Sequence, residues 1–367
     1  MSELFQGIYK NKKVLVTGNT GFKGSWLIAW LLQLGTEAFG ISNGIPTQPS
    51  HFESARLDQK IQYFEADICD LEQVKKIIQE VQPDFVFHLA AQSLVRLSYD
   101  DPIQTLTTNI IGSAHILEAL RQVNHPCNVV MITSDKCYDN VEWTWGYRET
   151  DALGGKDPYS ASKGGAEFVI KTYAHSYFSD QNSPIKVAVG RAGNVIGGGD
   201  WAKDRIVPDC MRTWSQNQSV EIRNPVSTRP WQHVLEPLSG YLVLGQKLAE
   251  NSKLNGEAFN FGPNPNQNYS VAHLIEEMQK HWSDGSWKDI SNPENPHEAN
   301  LLKLCCDKAL HTLDWKSVMD FEETIRYTVD WYRHYYENPN EDIYGFTRTQ
   351  IEEYTHLAKK RGLSWMW

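Results

Sequence analysis

Tyr159-Ser160-Ala161-Ser162-Lys163 sets a phenol and an ammonium four residues apart, a spacing that places both on one face of a helix. An ammonium beside a phenol, with a cationic ring nearby, is expected to lower the phenol's pKa from about 10 and make it a general base for a hydroxyl. The spacing recurs by chance, so it carries weight only with its surroundings. Upstream, Ile132-Thr133-Ser134-Asp135-Lys136-Cys137-Tyr138 offers hydroxyls, a carboxyl and an amine in succession. An Asp followed by a Lys is commonplace on a surface; at the carboxyl edge of a parallel sheet, the pair reads better as an acid and a base. Nearer the start, Gly18-Asn19-Thr20-Gly21-Phe22-Lys23-Gly24 has the spacing G-x-x-G-x-x-G. Such a loop between a strand and a helix holds a dinucleotide pyrophosphate against a helix N-terminus.

These groups need a scaffold, and the apolar pattern supplies one. Lys13–Thr17 reads as a buried strand and Gly24–Leu34 as the helix after it. Further strands are predicted at Ala38–Ser42, Tyr63–Asp67, Phe85–Ala90, Val129–Ser134 and Val187–Arg191, with helices at Leu71–Glu80, Ile103–Arg121 and Ala161–Phe178. Strands alternating with helices predict an α/β fold, a Rossmann-type doubly wound parallel sheet. After Gly197 the runs shorten and Gly, Pro, Trp and Arg become frequent, which predicts a smaller mixed α/β C-terminal substrate lobe. The expected division is a dinucleotide-binding domain over 1–190 and a substrate lobe over 191–367, with possible chain crossings back to the first. In the lobe, Ser219–Ile222 and Ala258–Phe261 read as strands, and Val271–Trp282, Phe321–Tyr336 and Thr349–Lys360 as helices.

Asn43 stands after the second strand, where an acidic residue often binds the adenosine ribose, and no Arg lies beside it for a 2′-phosphate. That favours NAD over NADP. Asp67 and Ile68, at the end of the third strand, are expected to hold the adenine, although a helix N-cap at Asp67 reads nearly as well. Leu89, Ala90 and Ala91 supply small residues where backbone must pass close to the cofactor.

The composition narrows the partners. The chain has 367 residues, 41% hydrophobic, and a formal net charge of −10. Such an acidic chain is not expected to grip nucleic acid or an anionic membrane by bulk charge, so a phosphate-bearing ligand needs a local basic pocket. Trp26–Leu34, the most apolar stretch, is too short to span a bilayer, and the first residues lack a signal-like apolar run. The six cysteines form no CxxC pair or spaced framework, so reduced thiols, a cytoplasmic setting and no metal site are expected.

Taken together, the glycine loop, His88-Leu89-Ala90-Ala91 and Tyr159…Lys163 resemble the extended short-chain dehydrogenase/reductases that act on nucleotide sugars, and the resemblance spans nearly the whole chain. Longer strings (Gly21 to Leu27, Ser134 to Tyr138, Gly197 to Trp201, Arg229 to Pro237) resemble the branch whose 4,6-dehydratases take CDP-glucose. The dTDP-glucose and GDP-mannose enzymes carry a Glu where this chain has Lys136. The resemblance implies transient oxidation at C4 with NAD, Tyr159 taking the O4 proton and Lys163 holding the phenolate and the nicotinamide ribose. It further implies that Lys136 removes the C5 proton, Asp135 protonates the departing C6 hydroxyl, and hydride returns to C6. Ser134 or Thr133 would hydrogen-bond O4, and Asn194, Arg205 and Arg229 would meet the diphosphate. Trp201 and Trp231 read equally as ring-stacking or core residues. The resemblance also implies a homodimer or dimer of dimers, paired through helices Ile103–Arg121 and Ala161–Phe178 with an apolar stripe of Ile110, Ile111, Ala114, Leu117 and Leu120. It further points to deoxysugar synthesis for surface polysaccharide. Alternatives are another nucleotide-sugar dehydratase, a 4-epimerase, which would not need Asp135-Lys136, or a non-catalytic dinucleotide sensor, which should lack Tyr159 or Lys163.

Overall fold

The computed structural model describes residues 1–180, 182–291 and 301–367. Its strands β1 (Lys13–Thr17), β2 (Glu37–Ser42), β3 (Gln62–Glu65), β4 (Phe85–His88), β5 (Cys127–Ile132) and β6 (Ile185–Arg191) share one parallel sheet with a last strand, Ala258–Asn260. Across the sheet the order is Ala258–Asn260, β6, β5, β4, β1, β2, β3. The chain therefore reverses direction across the sheet at β1 and β4, whose registers run Val14 opposite Phe85 to Thr17 opposite His88. A crevice opens outside the carboxyl ends of strands at such a switch point.

Both faces of the sheet are covered, and the alternation along β1 shows how. Val14 and Val16 point into one core with Trp26, Trp30, Leu235 and Leu242; Leu15 points into the other with Val74, Ile78, Ile116 and Leu120. The first core packs helix Phe22–Gln33 beside helix Leu235–Glu250 and the C-terminal helices Phe321–Glu337 and Ile343–Lys360. The second packs Leu71–Val81 and Gly112–Leu120.

Three departures from the expected elements matter for the site. Helix Pro158–Ser176 starts before Ala161, capped by the Asp157 side chain with Pro158 in its first turn, so Tyr159 belongs to the helix. The stretch expected as one helix over Ile103–Arg121 is Pro102–Leu106 and Gly112–Leu120 joined by a π-helical turn, Thr107–Ile111. At that turn Asn109 is buried and gives its amide to Gln92 O at 3.0 Å and to Ser162 Oγ at 2.8 Å. A mid-helix irregularity next to a functional residue is a common association. Lastly, Ala258–Asn260 leaves the later lobe and pairs with β6, Ala258 opposite Val189. The rest of that lobe is built from short pieces: Val195–Ile196 with Gln232–His233, Thr228–Arg229 with Tyr269–Ser270, and Ser219–Ile222 with Ser286–Asp289.

Candidate active site

The loops after β1, β4 and β5 meet at the crevice. Gly18 lies at φ +73°, and a side chain there would come within 2.8 Å of the Ala90 backbone nitrogen. Gly24 sits closer still, since a Cβ would come 2.1 Å from Gly18 O. The glycine loop is thus pressed between the β4 loop and its own helix, and no side chain caps the start of helix Phe22–Gln33. Thr17 and His88 hold the β4 loop: His88 Nδ1 lies 2.7 Å from Thr17 Oγ1, which accepts from Ala90 N at 3.2 Å. Burial pushes the His88 pKa down to about 3, so the ring is a neutral link to Ser113 rather than a titrating group.

After β5, Ser134 turns the chain into a short helical turn, its Oγ accepting from Lys136 N at 3.2 Å and donating to Asp135 Oδ1 at 2.8 Å. The same side chain acts on the Tyr159 phenol, lowering its pKa. Ser134 is therefore felt by both carboxylate and phenol. Burial pushes Tyr159 up to about 12, against the pull of Ser134. The expected lowering is absent because Lys163, 6.0 Å from the ring centroid, does not bond the phenol. A cofactor's positive ring has to supply the rest. Lys163 is 6% exposed, and burial lowers it to about 8. Among the described residues no hydrogen bond or ion pair holds its ammonium.

Lys23 belongs to this centre as well. Burial, then the charges of Arg205 and Lys163, lower it to about 8, while Asp135 and Asp200 act the other way. Arg205 donates to Asp200 Oδ2 at 2.7 Å and reaches across to Ser93 Oγ at 3.4 Å. The acidic chain thus concentrates Lys23, Lys163 and Arg205 where an anionic, dinucleotide-like ligand would lie. A cradle too tight for a Cβ, a helix start that no side chain caps and a buried ammonium that no hydrogen bond or ion pair holds among the described residues all fit NAD.

Sequence comparison matches residues 15–328 to the model of GDP-mannose 4,6 dehydratase. The chain belongs to the GDP-mannose 4,6 dehydratase family. Among curated relatives, a CDP-glucose 4,6-dehydratase of Salmonella typhimurium is 46% identical over 352 residues, covering 95% of this chain and 98% of the relative. A dTDP-glucose 4,6-dehydratase of Haemophilus influenzae is 26% identical, covering 87% and 97%. Among solved structures, a UDP-glucose 4-epimerase of Thermus thermophilus in complex with NAD superposes with TM-score 0.74 at 25% identity, covering 88% of this chain and 99% of that one.

Within this member of the 4,6-dehydratase family, Ser134, Asp135, Tyr159, Lys163 and Lys23 converge. Lys136 is joined to them through its backbone; its side chain is half-buried, and among the described residues no hydrogen bond or ion pair holds its ammonium. Thr133, the alternative to Ser134 for O4, donates its hydroxyl to Glu167 at 2.5 Å. Asn194 lies beside the acid, its Nδ2 3.4 Å from Asp135 Oδ2. Arg229 is half-buried and donates to Thr228 O. Asn43 and Asp67 are exposed at the ends of β2 and β3; Asp67 accepts from Cys69 N, and the cap of helix Leu71–Val81 is Asp70. Ile68 is buried against Gly112. Leu89, Ala90 and Ala91 line the β4 loop, all half-buried. Trp201 and Trp231 are core residues, Trp201 packed edge-on to Trp331, Tyr332 and Tyr335. Motif spacing did not reveal Asn109, Asp200, Glu167 or Arg191. Glu167 had one sequence signal, its place four residues after Lys163.

Proposed function

We propose that the chain converts CDP-glucose to CDP-4-keto-6-deoxyglucose and water. The chemistry rests on one observation: Ser134, hydrogen-bonded to Asp135, also acts on the Tyr159 phenol in a crevice that holds Lys163. The base of the nucleotide rests on the 46% identity to a CDP-glucose 4,6-dehydratase over nearly both full lengths. NAD, when bound, supplies a reversible hydride acceptor. Tyr159 takes the proton of the sugar O4, with Ser134 fixing that oxygen and Lys163 compensating the phenolate charge. A ketone at C4 acidifies the C5 hydrogen, which Lys136 removes. Asp135 delivers a proton to the C6 hydroxyl as it leaves. Asn194 orients Asp135, and Arg205 and Arg229 serve the diphosphate through bidentate contacts. A 4-epimerase has no need of the Asp135-Lys136 pair.

Three further readings belong here. Residues 1–190 with Ala258–Asn260 form the dinucleotide-binding part and the remainder the substrate lobe. Two copies pair through the helices that expose Ile103, Ile111 and Phe168. Six free thiols suit a reducing cytoplasm, and among the described residues no helix is long and apolar enough to cross a membrane. The test is to offer purified protein CDP-glucose, dTDP-glucose, UDP-glucose and GDP-mannose with NAD and to read product masses. Loss of one water from CDP-glucose without net NADH is the expected outcome. Stoichiometric NADH would make the protein a simple dehydrogenase, and turnover of another nucleotide alone would reassign the base.

A further inference from the structure

A buried ion pair lies directly beneath the catalytic centre. Arg191, at the end of β6, donates Nε to Glu167 Oε1 and Nη2 to Glu167 Oε2, each at 2.8 Å, in a two-pronged contact. Both side chains are 4% exposed. The Arg191 Nη1 also donates to the Tyr138 hydroxyl at 2.7 Å and to Glu149 O at 3.2 Å. Glu167 Oε1 accepts from Thr133 Oγ1. Thr133 and Tyr138 bracket the segment carrying Ser134, Asp135 and Lys136, so one ion pair holds both of its ends.

The same pair governs Lys163. Glu167 follows Lys163 by four residues on helix Pro158–Ser176, the spacing at which Lys and Glu side chains pair. They do not pair here, although the carboxylate's charge is felt at Lys163. Arg191 engages both oxygens of Glu167 instead.

We propose that Arg191 is a positioning residue: its grip on Glu167 keeps that carboxylate off Lys163, so the ammonium stays available to Tyr159, and pins the Ser134–Lys136 segment at Thr133 and Tyr138. The catalytic half of this inference rests on the dehydratase reading; the geometric half concerns Lys163 alone. In Arg191→Met the freed Glu167 swings to Lys163 and stabilises its charged form. The Tyr159 phenolate then loses its counter-charge.

The test separates the two halves. Lys163 is titrated by pH-dependent reductive methylation read by mass spectrometry, with no sugar present. Arg191→Met should raise its pKa by about one unit, and Arg191→Met with Glu167→Gln should restore it. In parallel, sugar-dependent formation of bound NADH is followed against pH in single turnover. The acidic limb should move to higher pH in Arg191→Met and return in the double variant, even if the double variant stays slow. A merely structural ion pair would lower rate or stability in both variants and leave both titrations in place, which overturns the proposal. If Arg191→Met does not fold, Arg191→Gln removes the charge while keeping a hydrogen-bonding side chain; a folded Arg191→Gln with an unmoved Lys163 titration also overturns it. Wild-type protein inert towards CDP-glucose, with Lys163 shifting as described, would defeat the dehydratase reading and leave the Arg191 inference standing.

Discussion

Tyr159 meets its substrate as a phenol pushed up to about 12 by burial, with Ser134 and then the charge of Arg205 lowering it from within the chain. The site is therefore not a base until its cofactor charge arrives, which ties proton removal to a loaded dinucleotide site. Lys136 poses the sharper question at this scale, because the proposed elimination needs a base at C5 and this side chain is the one assigned to it. Lys136→Met keeps the apolar stem and deletes the proton acceptor. Oxidation at C4 should persist in that variant while elimination slows by about 10²–10⁴-fold, leaving a 4-keto-hexose with reduced cofactor. In heavy water the wild type should place deuterium at C5 and the variant should not. Normal turnover with deuterium still at C5 would remove Lys136 from the mechanism.

Glu236 joins elements far apart in sequence. From the start of helix Leu235–Glu250 its carboxylate accepts the Val318 N–H at 2.9 Å and the Met319 N–H at 2.5 Å, and the Tyr354 hydroxyl from helix Ile343–Lys360 at 3.1 Å. It docks the C-terminal helices on the sheet. Burial outweighs these donors and pushes Glu236 up to about 7. The sign follows from comparing folded and unfolded states. A carboxyl raised from 4.5 to about 7 contributes stability present below pH 4.5 and lost as pH rises through 7. The shift corresponds to about 3 kcal/mol. Glu236→Gln should flatten the decline in Tm between pH 5 and 8 by several degrees, while lowering Tm at pH 5 because its amide faces N–H donors. A wild-type Tm that does not decline over that range would refute the assignment.

At the scale of the whole molecule, the exposed surface of the helices proposed to pair differs from the stripe that periodicity suggested. Leu117 and Leu120 are fully buried in the second core, whereas Ile103, Ile111 and Phe168 are 70%, 46% and 59% exposed. Sedimentation at micromolar concentration should give a dimer for the wild type. Ile103→Asp with Phe168→Asp should give a folded monomer, because those side chains touch no core and a charge there is costly only in an interface. A monomeric wild type would rule the pairing out.

Period-2 and period-3.6 patterns were sufficient for the alternating strands and helices, because each element's burial is written in its own apolar spacing. The glycine loop, Ser134-Asp135-Lys136 and Tyr159…Lys163 were legible for the same reason, since their spacing is local. The placement of Ser134 against both Asp135 and Tyr159 was not, nor were Thr133's turn to Glu167, Lys23 among the crevice charges, the π-helical turn at Asn109 and the return of Ala258–Asn260 to the main sheet. Each of these depends on partners tens to more than a hundred residues away, or on burial that shifts a group's proton affinity. Sequence spacing encodes which face a side chain shares with its near neighbours. Only the packed sheet decides which distant group it meets there, and so whether a hydroxyl serves substrate or structure.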